Sequence, residues 1–205
     1  NTHPVQRRRF QALFAEIDSY RPAMAIPGNL RISKEYPVLF RLILTTGLRR
    51  SEAVSILLSD LNIKERTIMI RNAKRHKDRI ISISGDMAVL LEKYQHFIKS
   101  TIPGQEKWLF PAVDPSCHLS SGALGGRFNQ FWNQTSCATG CSRKPTIHSL
   151  RHTFVVIRIN AWMEQGLIPL SCSLILAGTL DISQPMKLFI TITRSWNPWR
   201  YPTER

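Results

Sequence analysis

The sequence predicts a mainly helical α+β domain, a helical unit carrying one small antiparallel β-hairpin sheet. Three observations predict it. Apolar residues recur at helical spacing through most of the chain,. A β-branched, partly alternating pattern occurs in one place, between Thr67 and Ser84,. The balance of 43% hydrophobic and 20% charged residues is that of a globular chain rather than a disordered one,.

Taken in order, the segment Arg7 to Tyr20 sets Phe10, Leu13, Phe14 and Ile17 on one face, as an amphipathic helix does,. Pro22, Pro27 and Gly28 predict a loop,. Tyr36 to Gly47 is apolar nearly all round, which predicts a buried helix stopped by Gly47,. A second helix is expected over Glu52 to Leu58. Thr67 to Asn72 and Arg79 to Ser84 read as the two strands of a hairpin whose tip, AKRHKD, is basic,. Gly85 to Ser100 is helical, with Met87, Leu90, Leu91 and Tyr94 inward, and Pro103-Gly104 ends it. WLFPA is a short buried extended piece. Ser120 to Cys137 places Leu124, Phe128, Phe131 and Trp132 inward. His148 to Gln165 repeats Leu150, Phe154, Ile157, Ala161 and Trp162 near the helical period, with Gly166 as its cap. Beyond Gly166 the periodicity degrades, and the tail RSWNPWRYPTER has none.

Charge bounds the partners. Lys and Arg number 28 against 14 acids, a net charge of +14 and a pI near 10.3. A polyanion gains by releasing counterions to such a surface, so nucleic acid is the first candidate and an anionic membrane surface the second. A membrane finds little support: the most apolar stretch, Pro169 to Leu180, is too short to span a bilayer and is broken by Ser171, Ser173 and Gly178,. The basic start NTHPVQRRRF has no apolar run behind it and is no signal peptide, which predicts a cytoplasmic protein,. Of the cysteines, Cys117-His118 with Cys137 and Cys141 matches no standard zinc spacing, and free thiols, Cys172 included, are the simpler account,. No metal, cofactor or small-molecule substrate is expected.

Four local features carry chemistry. TTGLRRSE puts Arg49 and Arg50 at a helix-to-helix turn. The basic hairpin tip offers Lys74, Arg75, His76, Lys77 and Arg79. IHSLRHTF sets His148 and Arg151 one helical turn apart, hence on one face,. Arg143 and Lys144 lie in the loop before it. Two guanidinium groups on separate helices suit a phosphate clamp, because their forked donors match phosphate oxygens and never lose charge. A loop Lys suits proton donation to a leaving oxygen, and an imidazole moves protons near neutral pH. Singly, each has a plainer reading: a salt-bridging surface Arg, a solvated hairpin tip, a helix-start His.

In this order, GLRRSE, then AKRHKDR about two dozen residues on, then HSLRHTF about seventy further, the chain resembles the catalytic domain of the tyrosine recombinase (phage integrase) family. SDLN, RIISIS and WLFPA fit the intervening pattern, and the likeness runs from about Arg7 to Gly166. The resemblance implies a DNA strand-breaking and rejoining domain over residues 1–165, without the family's amino-terminal core-binding domain. It implies that Arg49 and Arg151 hold the scissile phosphate, that Lys74 protonates the departing 5′ oxygen with Lys77 as competitor, and that His148 handles a proton. Arg50, Arg71, Arg75, Lys77, Arg79, Arg143 and Lys144 are the expected DNA-binding set. The implied reaction is transesterification through a phosphotyrosyl link, which conserves bond energy and needs neither metal nor energy cofactor. The family self-associates on DNA through a carboxy-terminal segment exchanged between subunits, and that segment is the part lost here.

The family's last motif, a Leu-Gly-His followed by the nucleophilic Tyr, would fall near Ile182 and Thr191, where neither residue type stands; Tyr201 lies too late. Back-translation of Leu180 to Thr193 with suitable third bases, read from the last base of the Leu180 codon, gives Gly-His-Phe-Thr-Thr-Asp-Glu-Thr-Phe-Tyr-Tyr-Tyr-His. Its His straddles Asp181 and Ile182, and a Tyr straddles Ile190 and Thr191. Residues 166–205 are therefore expected to be an out-of-frame or degraded segment. The chain as written is expected to lack strand cleavage. A non-catalytic basic DNA-binding remnant is the alternative, and chance motif matches would scatter Arg49, Lys74, His148 and Arg151 over different faces.

Overall fold

The computed structural model describes residues 3–24, 27–73, 77–101, 104, 106–139 and 144–165. Six α-helices and one three-stranded antiparallel sheet, in the order β1-β2-β3, make up these residues, so the molecule is the mainly helical α+β fold that the periodicities predict.

Helix α1 (His3–Ser19) lays Phe10, Leu13 and Ile17 on the core. Helix α2 (Pro27–Thr46) is the hub: Leu39, Phe40, Leu42 and Ile43 are fully buried, and α1, α3, α4 and α6 all pack on it. It starts earlier than the loop expected at Pro27 and Gly28. Proline is at home in a first helical turn, where its missing N–H has no partner to lose and its φ is already helical. Gly47 stops α2 with φ 68, and its N–H returns to the Ile43 carbonyl at 2.9 Å. A left-handed stop of this kind is what glycine tolerates without cost to a Cβ.

Helix α3 (Arg50–Val54) is shorter than the helix expected over Glu52 to Leu58. Past Val54 the backbone turns extended and pairs with the WLFPA segment: Leu58 N–H reaches the Lys107 carbonyl and Leu109 N–H the Ile56 carbonyl, each at 2.9 Å. Long-range strand-type bonding takes the groups that a longer helix would have used. WLFPA is thus the buried extended piece expected, with Leu109 and Phe110 inaccessible.

A turn of 3-10 helix (Leu58–Asp60) leads into β1 (Leu61–Asn62), β2 (Thr67–Ala73) and β3 (Lys77–Ser82). The register pairs Ile68 with Ile81 and Ile70 with Arg79, and slips between Ile70 and Ala73. β1 was not expected, since two residues are too few to show a period. Helix α4 (Gly85–Thr101) follows with Met87, Leu91 and Tyr94 buried.

Helix α5 (Ser121–Gln134) begins at Ser120, whose hydroxyl accepts from Gly122 N–H, and buries Leu124, Phe128, Phe131 and Trp132 as predicted. Phe40 meets Phe128 and Phe131 edge-on, at 5.5 and 6.4 Å between centroids, the geometry that aromatic quadrupoles favour,. Helix α6 (Ile147–Glu164) packs on α2, with Leu150, Phe154, Val155 and Ile159 buried. Gly166 and the segment 166–205, with its expected second His, Tyr and frame change, lie outside the described residues.

Candidate phosphate cleft

Two turns and one helix face build the site. The Gly47 stop throws Leu48 and Arg49 out of α2, and Arg49, in extended backbone (φ −69, ψ 148), is the residue from which α3 starts. No Ser, Thr, Asp or Asn caps α3. Instead Glu52, in its first turn, reaches back: its Oε2 accepts the Arg49 backbone N–H and its Oε1 accepts the Arg49 guanidinium, both at 2.8 Å. A carboxylate placed in a first turn also faces the positive end of the helix.

Glu52 has a second cationic partner. Arg79 of β3 donates from Nη1 to Oε1 at 3.1 Å and from Nη2 to Oε2 at 2.9 Å. Burial pushes the Glu52 carboxyl up, but hydrogen bonds and charge from Arg79 and Arg49 outweigh it and hold it below its ordinary value. The Arg49 side chain keeps 29% of its surface exposed, against 7% for Glu52.

From α6 comes Arg151, buried, with Nη1 donating to the Gly47 carbonyl at 2.7 Å. A charged donor thus satisfies a carbonyl at the helix stop, across 104 residues of sequence. His148 stands one turn earlier, its ring 4.5 Å from that of His152 and at 89° to it. Partial burial, then the charges of His152 and Arg151, depress the His148 imidazole below its usual range, which favours the neutral ring at pH 7.

These residues share one cleft of about 830 Å³, lined by Arg49, Arg50 and Ser51 on one side, His148, Arg151 and His152 on the second, and Gly125 and Asn129 of α5 on the third. A Cβ at Gly125 would stand 3.9 Å from an Arg50 guanidinium nitrogen, so α5 closely backs the arginine wall.

Of the residues expected from the sequence, Arg49, Arg50, His148 and Arg151 therefore come together. Arg71 does not line the cleft; it pairs with Asp60 through Nε and Nη2 at 2.6 to 2.9 Å, on the outer side of β2. Arg79 is turned to Glu52. Lys144 is exposed and donates to Asn133 Oδ1 at 3.2 Å. Lys74, Arg75 and Arg143 lie outside the described residues, as does the Lys77 side chain.

Sequence reasoning passed over Glu52, His152, Asn129 and Gly125. Glu52 had a signal, an acid three places after Arg49. Asn129 and Gly125 had none, because only packing brings α5 to this wall.

Among the described residues no group of three or more His, Cys, Asp or Glu is arranged to hold a metal. Cys117 is an exposed thiol near Asp114, and Cys137 a half-buried one. No described helix is long and apolar enough to cross a membrane.

The sequence profile of the phage integrase family matches residues 18–168. A tyrosine recombinase, XerA of Saccharolobus solfataricus, is 29% identical over 122 residues, which cover 60% of this chain and 36% of that protein. Curated relatives of this kind are spanned for only 36 to 48% of their length. Among solved structures, a XerA recombinase superposes with a TM-score of 0.63 at 18% identity, covering 88% of this chain and 55% of that one. The XerH site-specific recombinase bound to its palindromic difH substrate, in a post-cleavage complex, superposes with a TM-score of 0.62 at 16% identity, covering 88% and 46%. At such identities the superpositions speak for the fold.

Proposed function

The chain belongs to the phage integrase family, and from that premise we propose that the cleft between Arg49 and Arg151 binds one backbone phosphate of double-stranded DNA. One observation carries the reading: Arg49 lines a single cleft with His148 and Arg151, which lie about a hundred residues further along the chain. Forked guanidinium donors from two directions match the oxygens of a phosphate and stabilise the charge that builds on them in a displacement at phosphorus. The neutral His148 ring, beside them, can accept or return a proton,.

By resemblance the reaction is that of a site-specific recombinase or integrase: a tyrosine oxygen attacks phosphorus, a 3′-phosphotyrosyl link forms, and the 5′ oxygen leaves with a proton from the hairpin Lys74 or Lys77. Residues 1–165 form the catalytic unit in this proposal, acting on DNA in the cytoplasm. Where the family places its nucleophile this sequence has Thr191, so the chain as written binds without cutting. The second reading, a non-catalytic DNA-binding remnant, is favoured by that same missing tyrosine.

A nicked suicide substrate tests both. Retarded DNA without a covalent adduct is the expected outcome; an adduct that survives denaturant supports the enzyme and overturns the cleavage-deficient reading. Failure to bind duplex DNA at low salt sinks the proposal altogether. Coding DNA across codons 160 to 205 decides the frame: a stop, or no His and Tyr in the shifted frame, ends that explanation.

A further inference from the structure

Glu52 is saturated. Its Oε1 accepts Arg49 Nη1 at 2.8 Å and Arg79 Nη1 at 3.1 Å; its Oε2 accepts the Arg49 backbone N–H at 2.8 Å and Arg79 Nη2 at 2.9 Å. A carboxylate has about four lone-pair sites, and here each is filled by a cationic side chain or a helix-start amide. Arg79 stands in β3 opposite Ile70 of β2, while Arg49 opens α3. One carboxylate therefore joins the hairpin to the arginine wall of the cleft.

Arg79 is poorly placed to touch a duplex itself. Its side chain keeps only 16% of its surface exposed, and its Nε is buried without a hydrogen-bond partner. The fork is spent on Glu52. The charge count points the same way: two guanidinium groups and one carboxylate leave the cluster with one net positive charge. Without Arg79, Arg49 and Glu52 would be a closed, neutral pair, with the carboxylate free to turn away from the helix start.

We infer that Arg79 is a positioning residue, which through Glu52 holds the Arg49 guanidinium in place at the cleft, rather than a direct DNA contact. The inference rests on the phosphate-cleft reading above and replaces the DNA-binding role expected for Arg79 from its sequence position. Through the same carboxylate Arg79 ties β3 to the arginine wall of the cleft.

A binding cycle on the full chain tests it. Wild type, Arg49→Ala, Arg79→Gln and the double variant are titrated against one fluorescent DNA duplex at fixed low salt. If Arg79 acts through Arg49, Arg79→Gln weakens binding roughly fivefold, while adding it to Arg49→Ala changes binding less than about twofold. Equal losses in both backgrounds mean a direct contact and overturn the inference, as does an Arg79→Gln variant that binds like wild type. Where Arg79→Gln does not fold, Arg79→Lys, a cation without the fork, takes its place with the same criteria. A second readout needs no DNA: the Arg49 amide proton, which donates to Glu52, should exchange several-fold faster in the Arg79 variant while amides of α4 keep their rates. Unchanged Arg49 exchange overturns the inference. Wild-type failure to bind the duplex counts instead against the phosphate cleft, and the amide readout still decides the brace.

Discussion

Arg151 and Gly47 are joined by a 2.7 Å hydrogen bond from guanidinium to carbonyl, and this one contact ties α6 to the stop of α2 from which Arg49 emerges. Arg151 thus braces the turn that presents Arg49. On the proposed phosphate cleft, binding and stability are expected to be coupled at this residue.

Arg151→Ala removes both. The Gly47 carbonyl loses a charged donor, which costs about 1.5–3 kcal/mol. A lower urea midpoint than wild type is expected, together with weaker duplex binding. An unchanged midpoint would show that water or a neighbour takes the carbonyl.

Arg49→Ala should act on binding in a salt-dependent way. Loss of one phosphate contact lowers the slope of log affinity against log salt by about 1. Titrations at several salt concentrations measure it. A parallel line, displaced but equally steep, would mean that Arg49 does not meet a phosphate.

Glu52→Gln has a pH signature. The folded pKa of Glu52 is lowered from 4.5, so its contribution to stability is present above that value and is lost as pH falls through the folded pKa,. Urea midpoints of wild type and variant should differ at pH 7 and converge in acid. A gap that persists at pH 2 would assign the effect to shape rather than charge.

Glu35 predicts the opposite dependence. Burial lifts its carboxyl to about 7, against the Arg31 ion pair at 3.3 Å and the Tyr94 hydroxyl, which donates at 3.4 Å. Between 4.5 and about 7 the folded state holds more protons than the unfolded one, so this group's contribution falls as pH rises through that window,. Glu35→Gln should remove the decline, gaining on wild type by about 1–3 kcal/mol between pH 5 and pH 7. Parallel stability curves for the two proteins over that range would refute it.

His148 should report an anion in the cleft. Phosphate bound beside it opposes the burial and the His152 and Arg151 charges that depress the ring,. Proton NMR titration with and without inorganic phosphate should show the His148 midpoint move up, and move up as well in His152→Gln. A midpoint that ignores phosphate removes His148 from the site.

Helix and strand identity, the inward faces of α1, α4 and α5, and the candidates Arg49, His148 and Arg151 were all legible in residue order, because periodicity and motif spacing are properties of the chain alone. The early start of α2 at Pro27 and the short α3 were not. The first depends on which proline use the context allows; the second on backbone groups of Ile56 and Leu58 finding partners at Lys107 and Leu109, some fifty residues away.

The sequence by itself determined a basic, mainly helical domain and singled out Arg49, His148 and Arg151 as candidates for one site. Tertiary structure alone decided what each cation does. It put Arg49 and Arg151 on one cleft, paired Arg71 with Asp60, and turned Arg79 onto Glu52. The physical reason is that an arginine's role is set by the nearest acceptor in space. Folding chooses that acceptor through packing between distant segments, which no local pattern records.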